Sequence, residues 1–345
     1  MIVSSGGGAG AVVFYPVDRD LGAWSERNAA GTAPDRWPYG LDRLDAHIPG
    51  VVARNFPPAA VTRRAARRAI GALPPTRFPS HPIGLTWDEN AGMLLSTTIR
   101  LSARYSGVVW LTDSVARRGG VQFTGMRRAL RRLDGLWVLS EAQVQPLREF
   151  LGPGAPPVHY VRFGVDHGFF AHAPYPSRPL VVSVGGDRDR DPATLLRAMS
   201  TLRRARPDVD VLIQSKTALA PPEGVTVVPY LTHAELRDLY ARASVVAIAT
   251  RPNLHVSGMT VGLEAMATGR PLVITRTPGM DDYFGGTPAA RMVEVGDADA
   301  LAQETLATLE DAASAGLGSV ARAHVEAGFT TAHLAKRIAG IVTRR

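Results

Sequence analysis

The amino-acid sequence predicts an α/β protein with two doubly wound parallel sheets that face a cleft. Short β-branched or aromatic segments alternate with longer helical patterns, which is typical of parallel α/β folding. The chain has 345 residues, more than one hydrophobic core usually supports. A new strand pattern starts at Leu180, directly after the stretch FAHAPYPSRP. We therefore expect domains at 1–175 and 176–325, with a C-terminal helix at 326–345 that packs back on the first domain.

Ten strands are predicted from apolar runs of four to eight residues. In the first half they are AVVFYP (11–16), GVVWLTD (107–113), LWVLS (136–140) and VHYVRF (158–163). In the second half they are PLVVSVG (179–185), DVDVLIQS (208–215), GVTVVPY (224–230), SVVAIAT (244–250), PLVIT (271–275) and ARMVEVG (290–296). Helices fill the intervals, for example 191–205 and 232–243, and the second opens with a capping box of Thr232 and Glu235.

Composition excludes several classes of protein. The chain contains no cysteine, so it has neither disulfides nor a thiolate zinc site, which suits the cytoplasm. No apolar run approaches the roughly 20 residues of a membrane span, and the N-terminus lacks the pattern of a secretory signal. We expect a cytoplasmic protein.

Arginine supplies nearly all of the positive charge, which gives a net charge of +8. Two segments, TRRAARRAI (62–70) and MRRALRRL (126–133), each place four arginines on one helical stripe. A solvated helix face is the simpler interpretation. The alternative is contact with acidic lipid at the membrane periphery or with an anionic acceptor. Nucleic acid is not an expected partner, because no aromatic residues are interleaved with these arginines.

The stretch HVSGMTVGLEAMATGRPLVIT (255–275) combines a small-residue turn with an apolar helix. It follows the predicted strand 244–250, so four residues lie at a helix N-terminus, where backbone N–H groups favour an anion: Ser257, Gly258, Met259 and Thr260. Glu264 lies one turn further along, and its carboxylate suits paired hydroxyls such as those of a ribose. The alternative is a buried helix whose glutamate pairs with an arginine.

Three further segments stand beside VGLEAMATGRPLVIT: FGVDHGFF (163–170), SVGGDRDRDPATLLRAM (183–199) and LSEAQVQPLREFLG (139–152). All four are similar to motifs of the retaining glycosyltransferases of family 4, which have the two-domain GT-B fold. The resemblance covers the chain from about 107 to 297, and the first hundred residues only weakly.

The resemblance implies roles for the donor side. Glu264 matches the second glutamate of the family's E-x7-E motif and would bind the donor ribose, and 257–260 would meet the diphosphate and sugar. Tyr230 and Leu231 would read the nucleotide base. The family's phosphate-binding arginine and lysine are replaced by Gly186 and Asp191, which leaves three nearby cations: Arg188, Arg190 and Lys216. We expect Arg190 to be catalytic, because the leaving nucleoside diphosphate gains charge in the transition state.

The sequence departs from the family where the first glutamate of the motif is expected. Val256 stands there, between His255 and Ser257, which could contact the transferred sugar instead. Either the sugar is recognised differently, or activity is altered or lost.

Acceptor-side candidates lie in the first domain. Asp113 ends a predicted strand, where it is either a catalytic or sugar-orienting carboxylate or a helix N-cap. Asp88 and Glu89, in TWDENAG (86–92), are an equal choice. Trp37 and Tyr39 could stack on an acceptor ring, or pack against their own domain.

The expected function is retaining transfer of a sugar from a nucleoside diphosphate to a hydroxyl of a small molecule, a glycan or a lipid-linked acceptor. No metal site and no cofactor beyond this co-substrate are expected. The alternatives are a nucleotide-sugar epimerase of the same fold and a non-catalytic nucleotide-sugar-binding protein.

Overall fold

The computed structural model describes residues 10–56, 82–97, 101–314 and 316–343, so the arginine-rich segment 62–70 lies outside the described residues. The chain forms two compact units. The first contains the described residues up to Ala30, Asp35–Val161 and those from Leu334 onward; the second contains Gly31–Pro34 and Arg162–His333. The units divide after Val161, earlier than the predicted boundary at 175.

The first unit contains a six-stranded parallel sheet in the order β2-β1-β3-β4-β5-β6. Its strands are β1 (Ala11–Tyr15), β2 (Val52–Asn55), β3 (Ile83–Thr86), β4 (Ala103–Gly107), β5 (Gly135–Val138) and β6 (Val158–Tyr160). Its helices are α1 (Leu21–Ala29), α2 (Glu89–Leu95), α3 (Leu111–Arg118), α4 (Thr124–Leu130) and α5 (Val144–Leu151), with 3-10 turns at Pro38–Ala46, Gly120–Phe123 and Glu141–Gln143.

The second unit contains a parallel sheet in the order β12-β11-β10-β7-β8-β9, which is the doubly wound order of dinucleotide-binding folds. Its strands are β7 (Leu180–Val184), β8 (Asp210–Gln214), β9 (Val225–Val228), β10 (Val245–Ile248), β11 (Leu272–Thr275) and β12 (Ala290–Val293). Its helices are α6 (Pro192–Ala205), α7 (His233–Arg242), α8 (Met259–Ala267), α9 (Asp281–Phe284), α10 (Ala298–Ser314) and α11 (Leu317–Gly328). The last helix, α12 (Thr331–Val342), runs from this unit into the first.

The predicted fold class is confirmed, and in the second unit all six predicted strands are present. The central strands β10 and β11 are buried at every position, as expected for strands covered by helices on both faces. The capping box of Thr232 and Glu235 starts α7. Gly269, at φ +83°, ends α8 in the left-handed conformation.

The predicted strand at 107–113 is wrong. β4 ends at Gly107, and Asp113 lies in the first turn of α3. The buried Glu89 carboxylate accepts the N–H groups of Val109 and Trp110, at 2.8 and 3.1 Å, which turns the chain into the helix. The true strand, ARYSG, is not apolar enough to be recognised from its pattern. The short strand β2 was missed for a similar reason.

A buried arginine binds four backbone carbonyls in the second unit. The Arg270 guanidinium donates to the carbonyls of Tyr240, Ala173, Pro174 and Ala241 at 2.8–3.0 Å. The side chain is fully buried, and burial lowers the pKa of Arg270 to about 10. Arg270 therefore ties the segment before β7 to the end of α7.

Replacing Arg270 with methionine is expected to lower the free energy of unfolding by about 2–4 kcal/mol, because buried carbonyls lose their donors. Urea denaturation measures the change. The control is Arg206→Met, which removes an exposed ion pair with Asp208 and should leave the urea midpoint nearly unchanged. Equal midpoints for the two variants would contradict the structural role of Arg270.

Candidate functional site

The candidate site lies where the strand order of the second sheet reverses, at the carboxyl ends of β7 and β10. The loops that follow these strands are bound to each other: Arg251 N–H donates to the Asp189 carbonyl at 2.8 Å, and Asp191 N–H to the Ala249 carbonyl at 3.0 Å. Ligands of doubly wound sheets bind at this topological switch point.

The loop after β10 leads directly into the N-terminus of α8. Ser257 N–H donates to Asn253 Oδ1 at 2.9 Å, which fixes the end of the loop. Gly258 is the N-cap at φ +98°, and it has no side chain to accept hydrogen bonds from the first turn. The predicted helix start is confirmed, with Met259 and Thr260 in the first turn. The N–H groups of Ser257 and Met259 are occupied within the chain, and the other N–H groups of this helix start favour an anion.

Arg190 is the cation of this site. Its Nε and Nη1 atoms are buried and have no hydrogen-bond partner among the described residues. Burial lowers the pKa of Arg190, while the charges of Asp187 and Glu264 oppose that shift. An arginine remains charged in any protein. Its buried Nε and Nη1 donors therefore suit a hydrogen-bond acceptor such as an anion.

Two glycines make room for this guanidinium. A Cβ on Gly185 would lie 2.2 Å from Arg190 Nε, and a Cβ on Gly258 would lie 2.7 Å from Arg190 Nη1. Both glycines have positive φ. The guanidinium thus lies between the end of β7 and the N-terminus of α8.

If the nucleotide expected from the sequence binds here, replacing Gly258 with alanine should weaken its binding by about 10-fold or more, because the new methyl group displaces Arg190. Gly286→Ala is the matched control, since Gly286 has a similar positive φ but nothing within 4 Å of its Cβ position. Titration calorimetry measures both variants. Similar losses in both would show that backbone strain, and not Arg190, causes the effect.

Glu264 lies beside Arg190 and contacts a tyrosine that the sequence analysis missed. The Tyr240 hydroxyl donates to Glu264 Oε2 at 3.2 Å. Burial raises the pKa of Glu264 to about 8, although the Tyr240 hydrogen bond and the Arg190 charge act to lower it. Hydroxyl donors supplied by a ligand would stabilise the ionised form of this poorly solvated carboxylate.

Val256 is the most strained residue of the loop. It adopts φ +51°, a genuine outlier for a β-branched residue, and its side chain is buried. It therefore offers no ligand contact. His255 is also buried, and its Nε2 lies 2.9 Å from Asp187 Oδ2 in the loop after β7.

The remaining donor-side residues lie at the carboxyl ends of the neighbouring strands. Arg188 is partly exposed, with its Nε 3.5 Å from Asp189 Oδ2, and Lys216 is exposed after β8. Tyr230 is 67% exposed after β9, and Leu231 follows it. Of the three candidate cations, the structure places Arg190 against the α8 N-terminus.

A recess lies beside Arg190 at the ends of β7 and β8, lined by Gly185, Gln214 and Ser215 among others. Gln214 Oε1 accepts Gly185 N–H at 3.1 Å, and its Nε2 donates to the Pro229 carbonyl at 2.9 Å. Gln214 thus fixes the segment that presents Tyr230, and sequence reasoning missed it.

Two carboxylates predicted for the acceptor side accept hydrogen bonds from backbone N–H groups where helices begin. Asp88 caps α2, where its Oδ1 accepts the N–H groups of Asn90 and Ala91 at 3.0 Å. Glu89 holds the start of α3, and burial raises the pKa of Glu89. Asp113 is buried in α3, with Arg117 Nη2 3.9 Å away. Its predicted position at a strand end is therefore wrong.

The aromatic candidates of the first unit are packed within it. Tyr39 stacks on Trp87 with ring centroids 4.1 Å apart, and Arg19 lies 4.6 Å above its ring. Both faces of Tyr39 are therefore occupied by this chain. Trp37 is half-buried, and the guanidinium of Arg36 lies 5.9 Å from its ring.

The described arginine-rich segment divides into two pairs. Arg127 Nε and Arg131 Nη1 donate to the Leu151 carbonyl, at 3.1 and 2.6 Å, and so cap α5. Arg128 and Arg132 are exposed. Among the described residues, no helix is long and apolar enough to cross a membrane.

Two doubly wound units and an anion site at the second switch point are features of GT-B glycosyltransferases. Residues 178–311, which include every donor-side candidate, match the family model "Glycosyl transferases group 1". No sequence relative among curated proteins matches the chain. Residues 178–311 are therefore similar to the group 1 glycosyltransferases, and the fold of the chain is the GT-B fold.

Three solved structures show how far the fold is shared. HepE of Anabaena, in complex with UDP and glucose, is 12% identical with a TM-score of 0.71, over 98% of this chain and 100% of that one. Sucrose-phosphate synthase of Thermosynechococcus elongatus is 16% identical with a TM-score of 0.70, over 96% and 98%. A glycosyltransferase of Rickettsia africae is 13% identical with a TM-score of 0.63, over 97% of each chain.

Proposed function

We propose that the protein transfers a sugar from a nucleoside diphosphate to a hydroxyl acceptor with retention of configuration. The observation that carries this proposal is the buried guanidinium of Arg190, whose Nε and Nη1 have no partner among the described residues. A buried charge with unpaired donors is costly unless an anion is bound beside it. The neighbouring α8 N-terminus attracts the same kind of anion.

A nucleoside diphosphate has a diphosphate, a ribose and a base, and each matches one part of the site. Its diphosphate binds Arg190 and the N–H groups of α8, and its ribose hydroxyls bind Glu264. The base lies at the segment around Tyr230, which Gln214 fixes through Pro229. UDP is the first nucleotide to test, because HepE has been crystallised with UDP and with UDP-glucose.

In the proposed mechanism, the acceptor hydroxyl enters on the face of the sugar from which the phosphate leaves. The departing phosphate takes the hydroxyl proton, the oxygen–carbon bond forms and the carbon–phosphate-oxygen bond breaks. No protein nucleophile is required. Arg190 and the α8 N–H groups stabilise the charge that develops on the diphosphate, and preorganised donors of this kind are effective in catalysis.

The described residues indicate less about the acceptor than about the donor. The exposed arginines Arg128 and Arg132 suit an acidic acceptor or an acidic lipid surface, although a solvated helix face remains the simpler interpretation. Acceptor screens should therefore include anionic sugars and lipid phosphates.

The test is incubation with UDP-glucose, UDP-galactose, UDP-N-acetylglucosamine and GDP-mannose, with and without acceptors. We expect acceptor-dependent release of nucleoside diphosphate, and an α-linked product from an α-linked donor by NMR. A donor that changes configuration without an acceptor would instead indicate an epimerase. A rise in melting temperature with nucleotide but no turnover of any donor would indicate a binding protein.

A further inference from the structure

His255 lies between two aspartates of the loop after β7. Its Nε2 is 2.9 Å from Asp187 Oδ2, and its Nδ1 is 3.7 Å from Asp189 Oδ2. The His255 side chain is only 4% exposed, so both ring nitrogens face carboxylates of this chain. His255 is therefore placed to orient these carboxylates.

Asp187 is the accessible member of this group, with 25% of its side chain exposed. Its Oδ1 accepts Asp189 N–H at 3.1 Å. Burial acts to raise the pKa of Asp187, but the hydrogen bond and charge of His255 hold it well below its usual value. The carboxylate is thus ionised, and its remaining lone pairs can accept hydrogen bonds from a ligand.

The strained backbone at Val256 belongs to the same arrangement. Val256 comes directly after His255 and adopts φ +51°. Its carbonyl oxygen accepts a hydrogen bond from Met259 N–H at 3.0 Å. Strained residues persist where the surrounding structure holds them, often at functional sites. Here the strained residue, Val256, links His255 to the N-terminus of α8.

Asp187 is also close to the phosphate-binding cation, since its carbonyl accepts Arg190 N–H at 3.1 Å. An ionised carboxylate near a diphosphate repels a bare nucleotide. A nucleotide that carries a sugar offers hydroxyl donors that offset this repulsion. The position therefore favours the sugar-bearing ligand.

We propose that Asp187, oriented by His255, binds hydroxyl groups of the sugar attached to the diphosphate and selects a nucleotide sugar over a bare nucleotide. This inference rests on the proposed function, because it requires the diphosphate at Arg190. Asp187 takes the sugar-binding role that the buried side chain of Val256 cannot fill.

The test compares the affinities for UDP and UDP-glucose, with GDP and GDP-mannose as a second pair, by titration calorimetry. Asp187→Asn should weaken binding of the nucleotide sugar about 10- to 100-fold and leave the bare nucleotide unchanged or tighter. A structural role would weaken both ligands together. The control is Asp282→Asn, an equal change of charge at an exposed position, which should alter neither affinity.

His255 supplies a second pair of variants that keeps the test decisive if Asp187→Asn does not fold. His255→Ala should reduce the preference for the nucleotide sugar, and His255→Gln should restore most of it, because its amide can donate to Asp187. Equal loss of both ligands, or no change in their ratio in any variant, would overturn the role of Asp187. If the unaltered protein binds neither pair, the proposed function itself is overturned, and this inference with it.

Discussion

Replacing Arg190 with methionine is expected to lower the rate of nucleoside diphosphate release from the donor by about 100- to 1000-fold. This is the range seen when one preorganised donor to a developing negative charge is removed. Methionine retains much of the side-chain volume between Gly185 and Gly258, so the loss reports the charge and donors of the guanidinium. A coupled assay for free nucleoside diphosphate measures the rate.

Arg188→Met is the matched control. It removes the same charge two residues away, from a side chain that is 38% exposed and whose Nε lies 3.5 Å from Asp189 Oδ2. We expect a rate within about 5-fold of the unaltered protein, since exposed charges are screened. A larger loss for Arg188→Met than for Arg190→Met would transfer the phosphate-binding role to Arg188.

Replacing Glu264 with glutamine is expected to weaken UDP binding by about 10- to 100-fold, because the hydroxyl donors of a bound ribose stabilise the ionised carboxylate, whereas an amide cannot ionise. Titration calorimetry measures the affinity. Glu304→Gln, which removes a partner of Arg291 on the surface, is the control and should leave the affinity unchanged. An unaltered affinity in a folded Glu264→Gln protein would exclude the ribose-binding role.

The same variant is expected to change how stability depends on pH. Burial raises the pKa of Glu264 to about 8 in the folded protein. Between its ordinary value near 4.5 and this value, the unfolded chain releases the proton and the folded chain keeps it. The Glu264 contribution to stability is therefore present below about pH 4.5 and decreases as the pH rises towards 8.

Glutamine does not titrate, so the Glu264→Gln protein should not lose stability in this way. The free energy of unfolding of the variant, relative to that of the unaltered protein, should therefore increase from about pH 4.5 to pH 8. Urea unfolding at several pH values measures the difference, which is at most about 5 kcal/mol by linkage. A difference that stays constant from pH 5 to pH 8 would show that Glu264 is already ionised in the folded protein.

The second unit could be predicted from sequence because its signals are local. Each strand of the second sheet is a compact apolar run, and α8 has a glycine at both ends. The positions of Ser257, Gly258 and Glu264 at the start of this helix follow from spacing alone. The N-terminal sheet was harder to predict, because β2 and β4 are short and mix polar and apolar residues.

Contacts between distant residues could not be predicted in this way. Tyr240 and Glu264 are 24 residues apart, and His255 and Asp187 are 68 apart, so only the folded sheet brings them together. Asp113 was misplaced because an apolar run continues past the true strand end. Only tertiary structure shows that Glu89, from another helix, binds the N–H groups at which the chain turns.

The most direct test of the central claim compares UDP with uridine as ligands of the unaltered protein and of Arg190→Met. If the diphosphate binds Arg190 and the α8 N-terminus, UDP should bind the unaltered protein at least about 100-fold more tightly than uridine. Most of that preference should disappear in Arg190→Met, while uridine affinity stays the same. Equal affinities for UDP and uridine in the unaltered protein would contradict a nucleoside diphosphate site at this position.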